Sequence, residues 1–232
     1  MSPTDPAVGA AREAVVATCR RAAEERLVVG TAGNVSVRAG DLVAISATGA
    51  RFESITDREV VVVGPDGTLV AGDLEPTSEL DLHLGIHARG DHGVGAVVHT
   101  HAPVSTAMST VLTELPCIHY QQLLLGGPVR VAPYATFGTA ELAAHVHTAL
   151  EGRSAALMAN HGSVAVGADA QKALENALLL EWLCTVYRDA SAVGVPATLD
   201  EDQQAAVVTA ALERRYGATR PVTDPATPKE TP

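Results

Sequence analysis

Residues 95–105 read GAVVHTHAPVS. The apolar run Ala96-Val97-Val98 reads as a buried strand, closed by His99 and His101. Successive side chains on a strand alternate faces, so both imidazoles can point to one side. Such a pair is either two polar rings bonded to backbone carbonyls or the beginning of a metal site, and taken alone it does not decide.

Outward from this strand, the chain alternates short apolar runs with helical segments. Residues 6–28 place Ala11, Val15, Cys19, Ala22 and Ala23 at helical spacing, with Gly30 as the stop. Strands are expected at 35–38 and 42–46, and a hairpin at 60–63 and 68–71 around Pro65-Asp66-Gly67. A helix is expected from Ser78 to Ala88, another over 102–112, then a strand at 129–132. Thr139 caps a helix at 140–150, strands at 155–159 and 163–166 flank Asn160-His161-Gly162, and Asp169 and Asp200 cap helices reaching Ala190 and Tyr216. The expected fold is α/β: a single domain over residues 1–216, with a central mixed, largely antiparallel sheet flanked by helices. The Pro- and Thr-rich tail, 217–232, is expected to be disordered.

The 232 residues are 47% hydrophobic but only 3% aromatic, so the core must be built from Ala, Val and Leu. The formal net charge is −11 and the lysines are Lys172 and Lys229, which argues against a nucleic-acid backbone binder. A small phosphorylated ligand needs only a few local donors. Cys19, Cys117 and Cys184 form no C-x-x-C pair. No apolar run reaches membrane-span length and the start lacks a secretory pattern, so a cytoplasmic protein is expected.

His161, in MANHGSVAVG, is a third candidate ligand at a turn between two apolar runs. Three histidines at strand ends suit an open metal site with one position left for water or substrate. His83, His87, His92, His145 and His147 read as surface or satisfied core residues, and His119 stays ambiguous beside Tyr120. Glu79, in LEPTSELDLHL, stands where a helix begins; a first-turn carboxylate is ordinary there, and nothing local marks it as catalytic. The loops GTAGNVSVR (30–38) and ISATGARF (45–52), with Thr77-Ser78, could bring backbone N–H groups to an anion, although each alone reads as a turn. Neither loop has P-loop or dinucleotide spacing.

In this order GTAGNVSVR, the TG of ISATG, PTSE, VVHTH, IHY, APYATFGT and NHG resemble the metal-dependent class II aldolase/adducin family, over about residues 10–217. The likeness is closest to its fuculose-phosphate aldolase branch. It implies one Zn2+ per subunit on His99, His101 and His161, with Glu79 as a further metal residue in the resting site and as the acid/base. It implies phosphate held by Thr31, Gly33, Asn34, Thr48, Gly49, Thr77 and Ser78. Tyr120 would reach in from a neighbouring subunit of a homotetramer, Phe137 would line the aldehyde pocket, and Tyr216 would lie on a mobile C-terminal segment. The implied activity is reversible cleavage of a deoxy-ketose 1-phosphate to dihydroxyacetone phosphate and a short aldehyde such as L-lactaldehyde. The alternatives are a zinc-dependent dehydratase of a methylthiopentulose 1-phosphate and, behind it, a sugar-phosphate epimerase. A Schiff-base aldolase is disfavoured because Lys172 opens a helix and Lys229 lies in the tail, away from the other candidates.

Overall fold

The computed structural model describes residues 2–88 and 93–217. Among them, nine strands form one sheet in the order β4-β3-β2-β1-β5-β9-β8-β7-β6. They are β1 Asn34–Ala39, β2 Leu42–Ser46, β3 Val60–Val63, β4 Leu69–Ala71, β5 Ala96–Thr100, β6 Glu114–Leu115, β7 Val129–Ala132, β8 Ala155–Met158 and β9 Gly162–Gly167. All neighbours pair antiparallel except β7 and β8, so the expected α/β class with a mixed, largely antiparallel sheet is what forms. The single parallel pair is joined by a helix, as a parallel connection requires.

The strands have two apolar faces because both are covered. Val35 and Val37 of β1, Ala96 and Val98 of β5, and Ala155 and Leu157 of β8 belong to one core with Val8, Val15 and Cys19 of α1 (Pro6–Glu24) and Ala173, Leu180 and Leu183 of α5 (Ala170–Val193). The alternate residues Val97, Ala156, Met158, Val164 and Val166 join a second core with Leu82 and Ile86 of α2 (Leu80–Ala88) and Leu142 and Val146 of α4 (Ala140–Ala149). Period-two strands therefore sort their side chains between two helical layers. α3 (Pro103–Ser109) follows β5 directly. Alternation along β5 puts His99 on the α2–α4 face and leaves Ala96 and Val98 on the other.

Several local expectations need adjustment. α1 ends at Glu24, before Gly30, because Arg26 adopts a left-handed conformation (φ 60°) and the amides of Arg26 and Leu27 bond back to Ala23 and Ala22. α3 stops at Ser109, short of Leu112. The two-residue strand β6 and the 3-10 helix Tyr120–Leu125 carry no periodicity to announce them.

The chain divides into a body, Met1–Leu199, and a second unit from Asp200. In the latter, Asp200 caps α6 (Glu201–Arg214) by accepting from the Gln203 amide at 2.8 Å. Tyr216 follows that helix and is half-exposed. His92 and the tail beyond Gly217 lie outside the described residues.

Candidate active site

The β1–β5 ladder sets the site. Asn34 pairs with His99 in that ladder, and His99 pairs with Val164 across β9. The turn Ala159-Asn160-His161 between β8 and β9 is tight: Asn160 is left-handed (φ 56°), and the His161 amide bonds the Met158 carbonyl at 3.0 Å. This returns His161 beside His101. The three rings meet edge-on with centroids 4.8–4.9 Å apart. One ligand nitrogen from each lies within 4.8 Å of the other two, the one such group among the described residues.

Glu79 closes the cluster from the N-terminal end of α2. It is 5% exposed, and its Oε2 lies 3.0 Å from His99 Nε2 while Oε1 lies 3.5 Å from His161 Nε2. The Asn34 amide donates to Oε2 at 3.0 Å. Burial alone would raise the Glu79 pKa, but the His99 charge and the bonds from His99 and Asn34 outweigh it and hold the carboxyl well below its usual range. Burial likewise works against a charged His99, yet Glu79 holds that ring above its ordinary value. Burial first, then the neighbouring His99 charge, pushes His101 down to about 3 and His161 to about 4.

The donor set suits a divalent cation. His99 Nδ1–H donates to the Ser163 carbonyl at 2.9 Å, which fixes the tautomer and aims Nε2 into the cluster, 3.0 Å from His101 Nε2. Three imidazole nitrogens with a carboxylate at their edge are the ligands expected of an open zinc-type site. Glu79 Oε1, buried and without a hydrogen bond, faces the same space.

A cavity of about 360 Å³ opens from this cluster. Thr31, Gly33, Asn34, Thr48, Gly49, Thr77, Ser78 and Phe137 all line it, with Glu79, His101 and His161. Three loops converge there. Loop 47–50 is tied to 75–77 by the bridge between Ala47 and Pro76 and by the Thr48 amide on the Glu75 carbonyl at 3.0 Å. Loop 30–33 passes close under β5: at Gly33 (φ 106°) a Cβ would stand 3.0 Å from the His99 carbonyl oxygen. Loop 133–138 presses on Ser78, since a Cβ at Gly138 would stand 2.7 Å from the Ser78 carbonyl oxygen.

One candidate lies outside this cavity, and two residues not named as candidates from the sequence enter it. Tyr120 begins the 3-10 helix and does not line this cavity; it is 42% exposed, its ring 4.5 Å from His119, which in turn packs on Trp182 at 4.9 Å. Tyr134 and Asn160 do line it. Tyr134 sits within APYATFGT, so the stretch was legible while this particular side chain was not. Asn34 turns its amide to Glu79 as well as lining the cavity. A larger hollow, about 480 Å³, is lined by Arg153, Lys172 and Asn176, and among the described residues no histidine cluster lies there. Chemistry, rather than size, selects the smaller cavity.

The chain matches the family described as Class II Aldolase and Adducin N-terminal domain over residues 13–188. It belongs to the class II aldolase and adducin family. Among curated relatives, the L-fuculose phosphate aldolase of Escherichia coli strain K12 is 39% identical, covering 84% of this chain and 90% of its own. A 5-methylthioribulose-1-phosphate/5-deoxyribulose-1-phosphate aldolase of Rhodospirillum rubrum is 37% identical, covering 86% and 90%. A solved structure of an L-fuculose 1-phosphate aldolase superposes with a TM-score of 0.81 at 32% identity, covering 86% of this chain and 95% of that one. This class II aldolase is an enzyme of a metal-dependent family, and His99, His101 and His161 form the group that could hold its ion. No helix among the described residues is long and apolar enough to cross a membrane.

Proposed function

We propose that the chain is a zinc-dependent aldolase that reversibly cleaves a deoxy-ketose 1-phosphate to dihydroxyacetone phosphate and a short aldehyde such as L-lactaldehyde. One observation carries the reading: a buried carboxylate, Glu79, stands 3.0 Å and 3.5 Å from two of three converging histidines, at the edge of a cavity walled by small hydroxylated loops. Cleavage leaves negative charge on the three-carbon fragment. A zinc ion on His99, His101 and His161 would act there as a Lewis acid. Glu79, held in place by Asn34, moves the proton on that fragment. Thr31, Gly33, Asn34, Thr48, Gly49, Thr77 and Ser78 offer backbone and hydroxyl donors for the phosphate. Phe137 would line the aldehyde end.

Tyr120 would act on the aldehyde oxygen from a neighbouring subunit, in a homotetramer with its sites at subunit interfaces. Its exposure, outside its own chain's cavity, supports that role, as do half-exposed Leu124 and Trp182 nearby. The aldolase domain would end at residue 216. The three cysteines are unpaired and buried, which suits a reducing compartment, the cytoplasm.

Relatives act by name on both L-fuculose phosphate and 5-deoxyribulose 1-phosphate, which supports a methyl-ended ketose 1-phosphate as the substrate class. The test is release of dihydroxyacetone phosphate from L-fuculose 1-phosphate and 5-deoxyribulose 1-phosphate, with and without a chelator. Chelator-sensitive release is expected. Loss of a methylthiopentulose 1-phosphate without any three-carbon product would replace this reading with the dehydratase.

A further inference from the structure

Strand β1 and helix α2 lie against each other with matched polar rows. On β1, Asn34, Ser36 and Arg38 share the face opposite Val35 and Val37, stepping by two residues, roughly 6.8 Å at a time. On α2 and its N-terminal approach, Glu79, His83 and His87 step by four, roughly 6.0 Å at a time. The steps are close enough for the rows to interlock. The Asn34 amide donates to Glu79 Oε2 at 3.0 Å, and His83 Nε2 bonds Asn34 Oδ1. Ser36 Oγ lies 2.7 Å from His83 Nδ1 and 2.8 Å from His87 Nε2, and the Arg38 guanidinium donates to the His87 carbonyl. Glu79, Asn34, Ser36, His83 and His87 are all buried.

The proton positions in this row follow by elimination. A carboxylate only accepts, so the Asn34 NH2 must face Glu79 and its carbonyl oxygen must face His83. That oxygen needs a donor, so a neutral His83 carries its proton on Nε2 and presents a bare Nδ1. Ser36 must then donate to Nδ1, and its oxygen accepts from His87 Nε2–H. Every donor in the row points toward Glu79. An amide interposed at Asn34 makes a poor proton conductor but a rigid brace, because its orientation is fixed from both sides.

We propose that His83, fixed by Ser36 and His87, is a positioning residue that locks the Asn34 amide and through it the Glu79 carboxylate. This rests on the reading of Glu79 as the acid/base of the reaction. Burial pushes His83 down to about 3 and His87 to about 4, which keeps both rings neutral, as the brace needs. His147 steadies α2 from the far side: its ring packs where a Cβ on Gly85 would be, and its Nε2 lies 3.4 Å from the Leu82 carbonyl oxygen.

Two measurements test the proposal. The first is 15N NMR of the full-length protein labelled at histidine, zinc-free and zinc-loaded, with His83 and His87 assigned from His83→Leu and His87→Gln. Both rings should be neutral and protonated at Nε2. A proton on His83 Nδ1, or an imidazolium at neutral pH, would overturn the brace. The second compares His83→Leu with His83→Gln, whose side-chain amide can donate where Nε2–H stood. The leucine variant should retain zinc but lose roughly 10- to 100-fold in kcat, with any change in KM smaller than that loss, and glutamine should restore most of it. Equal losses in both variants, or none in leucine, would overturn the positioning role. A wild type that cleaves no ketose 1-phosphate would overturn the reading of the reaction, and the tautomers would still decide the brace.

Discussion

Asn34 and His99 are register partners in the β1–β5 ladder, and the side chain of Asn34 reaches past that pairing to Glu79 at 3.0 Å. One ladder position therefore fixes both the end of the 30–33 loop and the first candidate ligand. Glu79 enters from α2 at the same level, so a shift in strand register would separate loop, ligand and carboxylate together.

From this arrangement, Glu79→Gln should leave the histidine cluster and its bond to Asn34 in place while removing the proposed proton carrier. Zinc content by atomic absorption should match wild type, and kcat should fall by about 10²- to 10⁴-fold. His99→Ala or His161→Ala should lose metal and activity together. Full activity in a metal-free histidine variant would be incompatible with the site.

Gly162 follows His161, and a Cβ there would stand 2.3 Å from the Thr100 carbonyl oxygen, between the two strands that carry the ligands. Backbone cannot rotate away as a side chain can. Gly162→Ala is expected to cost roughly 1–3 kcal/mol or more in urea unfolding and to weaken zinc binding at least tenfold. Unchanged metal affinity would mean that β5 and β9 separate without moving the rings.

Neutral buried histidines bind fewer protons than the same residues in the unfolded chain, whose pKa is near 6.5. Burial first, then the charges of His87 and His99, lowers His83 to about 3; burial first, then Arg38, lowers His87 to about 4. Their stabilising contribution is thus complete above about pH 6.5 and is lost as pH falls toward those values. Each should tilt stability by about 1.4 kcal/mol per pH unit across that window. The urea midpoint of the metal-free protein should fall between about pH 7 and pH 5, and more shallowly in His83→Leu. An identical slope in the variant would count against a neutral His83.

Lys172 lines the larger hollow and not the histidine cavity. Borohydride added with dihydroxyacetone phosphate should therefore neither inactivate the protein nor add mass to it, and Lys172→Ala should keep full activity. A trapped adduct would point to Schiff-base chemistry.

Much of this site was legible in the sequence because it is built from alternation. VVHTH announces a buried strand with two same-facing rings, and NHG a turn that can return a third. His83 and His87 read as surface or satisfied core residues; both are buried and bond Ser36 Oγ, while His87 Nδ1 is buried without a partner. Glu79 was not legible from its neighbours, since a carboxylate opening a helix is ordinary; what distinguishes it is Asn34, brought up by a ladder 45 residues away. The end of α1 was misplaced because Gly30 is the conspicuous stop, whereas Arg26 takes the left-handed turn that ends the helix. β6 pairs through two residues only, too short to show a period.

The most direct test of a metal-assisted proton transfer by Glu79 needs no aldehyde. Dihydroxyacetone phosphate incubated in D2O with the zinc-loaded protein should exchange one of its C3 protons, seen by proton NMR as loss of half the C3 signal. Exchange should stop with chelator and in Glu79→Gln. A zinc-loaded wild type that leaves both C3 protons in place would contradict the account.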